Sequence, residues 1–432
     1  MISYIYIFWC ETFRGDKMKK LFLFLFLSIQ LFAYDFPFKD PYIATVFGSS
    51  TLMADGIQEK IPIKYYTTDF VDTREVPPNL LYQDDYKFTM ALQDKKAPLV
   101  FILSGTGSSA SSLNVELFQR IFYTAGYHVV GISSIMNTNS LVSLSFEKIP
   151  GNLINDGMDL YRALKRIKTL IDSKAEVESY NIMGYSLGGT HSAVVSFIDS
   201  KEKVFDFKNV FMLNPAVNLF DSATLLDKMF DETVNYNVDN FFIKINEILN
   251  ALSYSRETSL TNFTKNPSKI LKDLKISEKE LKMGIGFIFR LNSIDVNFLT
   301  DYANQMKNYS DYKIDKYENM GRYFERVNFA NFENYIEKVA LPYYQQRYKK
   351  DMTVEDIKKL ADLKIIDDYL KTAKNIRVVT NKDEIILTKK HFDYLKKTFK
   401  DRLYIYPYGG HCGNMYYQEN IDYMLKAMRG GK

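Results

Sequence analysis

Residues 180–189 read YNIMGYSLGG, and they indicate the fold class more clearly than any other part of the chain. The first half is a short apolar run of the kind that forms a buried strand. In the second half, Gly184 and Gly188 lie two residues on either side of Ser186. Glycines at these positions leave room for a sharp turn and for a following helix to lie close to the strand. The segment therefore predicts a strand, a tight turn and a helix in succession.

The same alternation of strand and helix continues on both sides of this segment. Strands are predicted at residues 42–48, 61–66, 98–103, 128–133, 180–184, 209–213, 376–380 and 402–406. Helices are predicted at 152–172 and from Leu187 towards Phe197. Continuous apolar strands separated by helices are typical of parallel sheets that are covered on both faces. We therefore expect an α/β fold with a mostly parallel, doubly wound sheet.

The region between 220 and 372 has a different composition, with few glycines and prolines and many helix-forming residues. Apolar residues recur at helical spacing in 241–252 and 354–361, and Ser277 and Glu280 have the spacing of a capping box. We therefore predict an all-helical insertion, or cap, at 220–372. It divides an α/β core into residues 34–219 and 373–432.

The N-terminal region has the pattern of a signal peptide. Lys19 and Lys20 precede the 12-residue apolar run LFLFLFLSIQLF, and Ala33 follows at the expected cleavage position. Residues 1–33 are predicted to be an upstream extension and signal peptide, with Met18 as the native start. Export to the periplasm or the medium follows. An uncleaved membrane anchor is the alternative.

Composition disfavours several functional classes. The 56 basic and 52 acidic residues give a net charge of +4 and are mixed along the chain, whereas nucleic-acid binders have clustered basic faces. Once residues 1–33 are removed, Cys412 is the only cysteine, which disfavours an intramolecular disulfide and a cysteine-based zinc site. No metal or cofactor is predicted, and no nucleic-acid partner.

Ser186 is the predicted nucleophile, and a serine needs a base to become reactive. Of the four histidines, His411 lies in the glycine-rich loop 408–414, directly after the last predicted strand. Glycines in this loop allow the imidazole to turn towards a nucleophile. His128, His191 and His391 are predicted to lie within strands or helices. His411 is therefore the candidate base.

A carboxylate is needed to orient this histidine and to stabilise its cation. Asp383 follows the predicted strand at 376–380 and lies 28 residues before His411, so adjacent strands would bring the two loops together. Glu384 is the next alternative and Asp221 a third. A helix N-cap is the purely structural interpretation of Asp383.

Donors are also needed for the negative charge of a tetrahedral intermediate. The backbone N–H groups of Leu187 and Thr106 are suitably placed, and Gly105 and Gly107 permit close approach. A phosphate-binding loop is an alternative interpretation of residues 104–109. We rank it low because the lysine of that motif is absent.

Taken together, these residues resemble the α/β-hydrolase superfamily. The resemblance rests on Gly184–Ser186–Gly188, then Asp383, then His411, in the superfamily's order of serine, acid and histidine. It implies that residues 220–372 form a cap over the active site and that the activity is serine-dependent ester hydrolysis without a cofactor. Ser104 stands where many lipases have a histidine. We do not expect Cys412, adjacent to His411, to present its sulfur to that imidazole ring.

The substrate is less strongly indicated. Residues 283–289 (MGIGFIF) are the most apolar segment of the cap, which suggests either cap core or the lining of an acyl-chain tunnel. A small-molecule or lipid ester is the predicted substrate, with transient contact between the cap and a membrane surface. A secreted peptidase, an acyltransferase and a non-catalytic binding protein are the alternatives.

Overall fold

The computed structural model describes residues 34–48, 54–70, 76–234, 243, 277–309, 317, 321–327 and 329–430. Residues 1–36 and 37–432 form separate compact units. In the described part of the first unit, the rings of Tyr34 and Phe36 stack with their centroids 6.2 Å apart. The predicted signal peptide and the predicted apolar helix at 241–252 lie outside the described residues, apart from Ile243.

Eight strands form one sheet in the second unit. They are β1 Lys64–Thr68, β2 Tyr86–Ala91, β3 Ala97–Leu103, β4 His128–Ile132, β5 Val177–Tyr185, β6 Asn209–Leu213, β7 Ile376–Asn381 and β8 Leu403–Tyr406. Their order in the sheet is β1-β2-β4-β3-β5-β6-β7-β8. Only the β1–β2 and β2–β4 pairs are antiparallel, and strands from β4 to β8 pair in parallel. The predicted mostly parallel sheet is confirmed.

Fourteen α-helices are present among the described residues. They are α1 Pro41–Phe47, α2 Leu113–Thr124, α3 Thr138–Ser143, α4 Leu153–Asp172, α5 Leu187–Glu202, α6 Leu219–Val234, α7 Glu278–Ala303, α8 Gly321–Val327, α9 Phe332–Tyr335, α10 Leu341–Arg347, α11 Val354–Leu360, α12 Asp367–Thr372, α13 Lys389–Phe399 and α14 Gln418–Met428. Three 3₁₀ turns cover Pro78–Gln83, Leu363–Ile366 and Lys400–Arg402, and Ile336–Ala340 is a π-helical turn. Ser277 and Glu280 form the predicted capping box of α7.

The central strands are buried because helices cover both faces of the sheet. Every residue of β4 is buried, and so are all but one residue of β3. This explains why their sequences are continuous apolar runs rather than alternating ones. The parallel strands end at one common edge of the sheet, and the loops after β3, β5, β6, β7 and β8 meet there.

The prediction of a strand at residues 42–48 was wrong, because this segment is helix α1. Asp40 caps the helix, and its carboxylate accepts hydrogen bonds from the backbone of Tyr42 and Ile43 at 3.0 and 2.9 Å. Pro41 occupies the first turn, where its missing N–H costs nothing. The β-branched and aromatic residues suggested a strand, but the Asp-Pro cap determines the local structure. Strand β2 was not predicted.

The insertion is helical in its described parts, and the chain enters and leaves it through paired segments. Leu219 N donates to Ala361 O at 3.0 Å, and Leu363 N donates to Val217 O at 2.8 Å. Residues 363–372 then return to the core, where the hydroxyls of Tyr369 and Ser196 are 2.6 Å apart. The paired segments therefore lie before the predicted boundary at 372.

A buried ion cluster joins the two longest described helices of the insertion, α6 and α7. The guanidinium of Arg290 on α7 donates to Asp227 at 2.9 Å and to Asp231 at 2.8 Å, both on α6, and also to Phe329 O at 2.9 Å. Because Asp227 is buried, loss of Arg290 would leave this carboxylate without its counter-charge. The cluster therefore fixes α6 against α7. In the described residues no helix has the length and apolarity needed to span a bilayer.

Candidate active site

Ser186 lies at the turn between β5 and α5 in a strained backbone conformation. Its φ is 55° and its ψ is −126°, which is unusual for a residue with a side chain. A β-carbon on Gly184 would collide with the backbone of Gly188, and one on Gly188 would collide with Leu103 O. Glycines are therefore required on both sides, as the sequence predicted. The turn exposes the serine hydroxyl at the first residue before a helix, where negative charge is favoured.

His411 lies against Ser186 as predicted. Its Nε2 is 2.9 Å from Ser186 Oγ, so the hydroxyl can pass its proton to the ring. The other ring nitrogen, Nδ1, is 2.8 Å from Oε1 of Glu384. The imidazole thus bridges a hydroxyl and a carboxylate, and the Glu384 side chain is fully buried.

The carboxylate that contacts His411 belongs to Glu384, so the geometry corrects the assignment of Asp383. The Asp383 oxygens instead accept hydrogen bonds from the backbone N–H groups of Gly409 and Gly410, at 3.2 and 3.0 Å. Asp383 therefore holds the histidine loop by its backbone, while its neighbour contacts the ring. Asp221, the third choice, lies 3.1 Å from His391 Nε2.

The histidine loop is fixed by polar contacts that the sequence analysis missed. His411 N donates to Thr45 Oγ1 of α1 at 2.9 Å. Asn381 Nδ2 donates to Gly410 O at 2.7 Å, and Asn381 and Asn414 exchange amide hydrogen bonds of 3.0 and 2.7 Å. The Asp-Pro cap at residues 40–41 was a signal for the helix that carries Thr45. Asn381 follows a predicted strand and Asn414 follows a glycine, but their positions in the sequence match no known motif.

The predicted oxyanion donors lie beside Ser186. Thr106 and Leu187 line the same cavity as the serine, and in the described part of the chain neither backbone N–H group has a hydrogen-bond partner. The Thr106 loop is held by Asn137 Nδ2, which donates to Gly107 O at 3.0 Å. Asn292 of the cap helix α7 packs directly on the α-carbon side of Gly107. Both amides are thus available to an oxygen bound at the serine.

A cavity of about 70 Å³ opens at Ser186 between the core and the cap. Its walls are almost entirely apolar, and no charged side chain is among the described residues that line it. The apolar lining includes Leu219, Leu226, Phe289, Phe332, Ile336, Ile357, Leu360 and Ile386. Of the segment at 283–289, Phe289 reaches this cavity, whereas Met283 is buried against Phe230 and Val234 within the cap. The two interpretations of this segment therefore apply to different residues in it.

Cys412 lies against the histidine, contrary to expectation. Its φ is +60°, and this left-handed backbone turns Sγ to 3.9 Å from His411 Nε2. Burial lowers the pKa of His411, but the charges of Cys412 and Glu384 outweigh burial and hold this pKa well above its ordinary value. The thiol and the Ser186 hydroxyl therefore share one ring nitrogen.

This contact predicts a pH effect for Cys412→Ser. His411 must be neutral to act as a base, so activity is lost as the pH falls through its pKa. Removal of the sulfur removes an interaction that raises this pKa, and the acid limb of the kcat/KM profile should therefore move to lower pH. Cys412→Ala should give the same direction, since both replacements remove the sulfur. An acid limb that stays in place or moves to higher pH in both variants would contradict the prediction.

The remaining histidines lie in structural positions. His191 is buried 3.4 Å from the carboxylate of Asp156, and His128 accepts a hydrogen bond from Gln93 N at 3.0 Å. Burial lowers the pKa of His128, and also that of His391. No cluster of three or more histidine, cysteine and acidic residues suited to a metal ion is present in the described residues.

Comparisons with known proteins give matches of low similarity only. No family model and no curated protein matches the sequence. An esterase of Pyrobaculum calidifontis matches with 12% identity and a TM-score of 0.42, covering 96% of this chain and 98% of its own. A proline iminopeptidase of Mycobacterium smegmatis has 13% identity and a TM-score of 0.39, covering 85% of this chain and 98% of its own.

An acylaminoacyl peptidase of Pyrococcus horikoshii has 10% identity and a TM-score of 0.40, covering 86% of this chain. The chain spans only 40% of that peptidase's length, and 36% and 40% of a dipeptidyl aminopeptidase IV and a second acylaminoacyl peptidase structure. The assignment of the fold therefore rests on the protein's own sheet and turn. Eight strands in the order β1-β2-β4-β3-β5-β6-β7-β8, an antiparallel β2 and a strained serine after β5 are the features of the α/β-hydrolase fold. This protein has that fold.

Proposed function

We propose that the protein is a serine hydrolase that cleaves carboxylic esters with an apolar acyl group. The observation that carries the proposal is the His411 ring, which bridges Ser186 and the buried Glu384 at the mouth of an apolar cavity. This arrangement of hydroxyl, imidazole and carboxylate is the one that activates a serine. Glu384 replaces Asp383 as the proposed acid.

The proposed reaction has two steps. Ser186 Oγ forms a bond to the ester carbonyl carbon while His411 Nε2 takes the serine proton. The tetrahedral intermediate expels the alcohol, which receives that proton, and an acyl-serine remains. Water then attacks the acyl-serine, again through His411, and the acid product and free serine are released. Glu384 accepts the hydrogen bond from Nδ1–H and stabilises the imidazolium in both steps.

The oxyanion of each intermediate is proposed to bind the N–H groups of Leu187 and Thr106. Such donors are already oriented before the reaction, so they require little rearrangement when charge develops. Each is typically worth about 10²–10³ in kcat. The Asn137 contact that holds Gly107 supports this role, because it fixes the loop that carries Thr106.

The apolar lining supports an acyl group as the part of the substrate that enters the cavity. A peptidase that recognises a free amino terminus or a charged side chain needs a carboxylate or another charged group near the serine. None of the described residues that line this cavity supplies one. An ester of a fatty or other apolar acid therefore fits the site better than a charged peptide.

Hydrolysis of p-nitrophenyl esters of increasing acyl length tests the proposal. We expect serine-dependent turnover that improves from acetate towards medium-length chains as the cavity fills. Wild-type protein that reacts with a fluorophosphonate at Ser186 but cleaves no ester would contradict the ester substrate while leaving the nucleophile in place. Peptide substrates and acyl acceptors would then be the next assays.

A substitution in the cavity wall should change acyl-chain preference. Ala223 lies in the cavity lining on α6, so Ala223→Leu is expected to lower kcat/KM for octanoate at least tenfold relative to acetate, since apolar contacts in such pockets are worth about 1–3 kcal/mol per methylene. Phe289→Ala removes part of the cavity wall and should raise kcat/KM for octanoate relative to acetate. Lys228→Leu introduces the same side chain on the exposed face of α6 and is the matched control. Equal effects of the two leucines would contradict this assignment of the cavity.

Export is a further part of the proposal. It is supported by the apolar run in residues 21–32 after two lysines and by the alanine that follows. Fractionation of cells that express the full chain, beside a chain that starts at residue 34, tests it. Equal retention of both chains inside the cell would contradict export.

A further inference from the structure

Asn214 is the first residue after β6, at the edge of the sheet where the active-site loops meet. Its backbone is left-handed, with φ at 46°, and its N–H donates to Val379 O of β7 at 2.7 Å. Its side chain is fully buried. The amide nitrogen Nδ2 donates to Oε2 of Glu384 at 2.6 Å. This polar side chain therefore points at the carboxylate behind the histidine.

The two oxygens of Glu384 have separate partners. Oε1 faces His411 Nδ1 at 2.8 Å and also accepts a longer bond of 3.3 Å from Ile386 N. Oε2 faces Asn214. A carboxylate rotates about its last bond unless both ends are held, so the amide of Asn214 fixes the plane in which Oε1 meets the ring.

The carbonyl oxygen of the Asn214 amide gives evidence about the role of this residue. Its Oδ1 is buried and accepts no hydrogen bond from the described residues. An asparagine placed only for packing or for its own hydrogen bonds would be expected to satisfy both ends. Here the donor is used and the acceptor is left without a partner. The orientation of the amide follows, because only its NH₂ group can donate to a carboxylate.

We propose that Asn214 is a positioning residue for the hydrolase reaction, which acts by holding the Glu384 carboxylate in plane with His411. The proposal rests on the function proposed above. In the described contacts the Asn214 side chain touches neither the serine nor the ring, and it reaches the site through Glu384. The amide donor compensates the buried negative charge without neutralising it, and the carboxylate remains free to stabilise the imidazolium.

A double-mutant cycle tests this coupling. In the wild-type background, Asn214→Ala should lower kcat about 10- to 100-fold with little change in KM, which is the range found when partners that orient a functional group are removed. In the Glu384→Ala background, the same substitution should change kcat by less than about twofold, because its target is gone. Equal losses in the two backgrounds would overturn the proposal.

A second variant provides a readout that a merely structural role would not alter. The carboxyl group introduced by Asn214→Asp can donate to Oε2 only while it is protonated, and it repels Glu384 once it ionises. The ratio of kcat for Asn214→Asp to kcat for Asn214→Ala should therefore fall as the pH rises. The ratio is measured above the acid limb of both variants, where His411 is neutral in each, because the introduced carboxyl also changes the pKa of His411. A ratio independent of pH would overturn the proposal.

Two controls separate the possible failures. Asn209 lies at the opposite end of β6 and donates to Asn181 Oδ1 at 2.9 Å and to Met428 O at 2.7 Å. Asn209→Ala should destabilise the protein without lowering kcat per active site, with active sites counted by fluorophosphonate labelling of Ser186. An equal loss of kcat in Asn209→Ala and Asn214→Ala would point to damage to the strand and overturn the proposal. Wild-type protein that does not label would refute the proposed function itself.

Discussion

Ser186→Ala should lower ester turnover by about a millionfold, the loss found when the nucleophile of a serine hydrolase is removed. The reason is that no other group in the described contacts is placed to attack a carbonyl while His411 accepts its proton. The Cys412 sulfur is the nearest competitor, at 3.9 Å from the same ring nitrogen. Its backbone belongs to the histidine loop rather than to the turn that precedes α5. The measurement is kcat for p-nitrophenyl esters, with fluorophosphonate labelling of both proteins in parallel.

The matched control is Ser200→Ala on α5, where the serine hydroxyl is exposed and bonds only to Phe197 O at 2.6 Å. This variant should retain wild-type turnover and labelling. Residual turnover in Ser186→Ala that disappears in the double variant with Cys412→Ser would assign it to the thiol. Turnover or labelling at the wild-type level in Ser186→Ala would refute Ser186 as the nucleophile.

Glu384→Gln should lower kcat about 10⁴-fold, the effect of the corresponding amide substitution in serine hydrolases. Loss of the charge is one cause, because the imidazolium is no longer stabilised. The hydrogen bond from Asn214 is another. The NH₂ group of Asn214 needs an acceptor, so the glutamine would turn its amide oxygen towards Asn214. Its own NH₂ group would then face His411. Nδ1 must then accept, Nε2 carries the proton, and the ring cannot take the proton of Ser186.

Asp383→Asn provides the comparison within the same loop. Its carboxylate accepts the N–H groups of Gly409 and Gly410, and an asparagine retains one acceptor oxygen for them. We expect less than about a tenfold loss of kcat, together with a lower melting temperature. A larger loss in Asp383→Asn than in Glu384→Gln would restore Asp383 as the acid and contradict the geometry described above.

The sheet could be predicted because its buried strands have continuous apolar sequences. Short, continuous apolar runs such as β3 and β4 that alternate with helices are typical of buried parallel strands. Helix α1 shows where such an argument fails. Its residues favour a strand by type, and only the cap formed by Asp40 and Pro41 determines the helix. Strand β2 lies between β1 and β4 and is buried at every residue except Lys87, but it was not predicted from its sequence.

At the active site, the sequence predicted Ser186 and His411 because glycines surround them, and glycines mark unusual backbone turns. It favoured Asp383, whereas the carboxylate that contacts the ring belongs to Glu384. Adjacent residues in a loop point in different directions, and the direction depends on long-range contacts with the strand ends. The contacts of Asn214 and Thr45 with this site have the same origin, since they join segments more than 150 residues apart. Such contacts have no local sequence signature.

The paired segments at the entrance to the insertion, where Leu219 meets Ala361 and Val217 meets Leu363, have an evolutionary consequence. They hold the two ends of an insertion of more than a hundred residues together beside the sheet. The core therefore requires only that these two ends stay adjacent. An insertion with such ends can be lengthened, shortened or exchanged at little entropic cost to the rest of the chain. The walls of the cavity could thus diversify under selection for new acids while the serine, the histidine and the glutamate stayed where the core holds them. Under the proposed function, the core carries the chemistry and the insertion carries part of the selectivity.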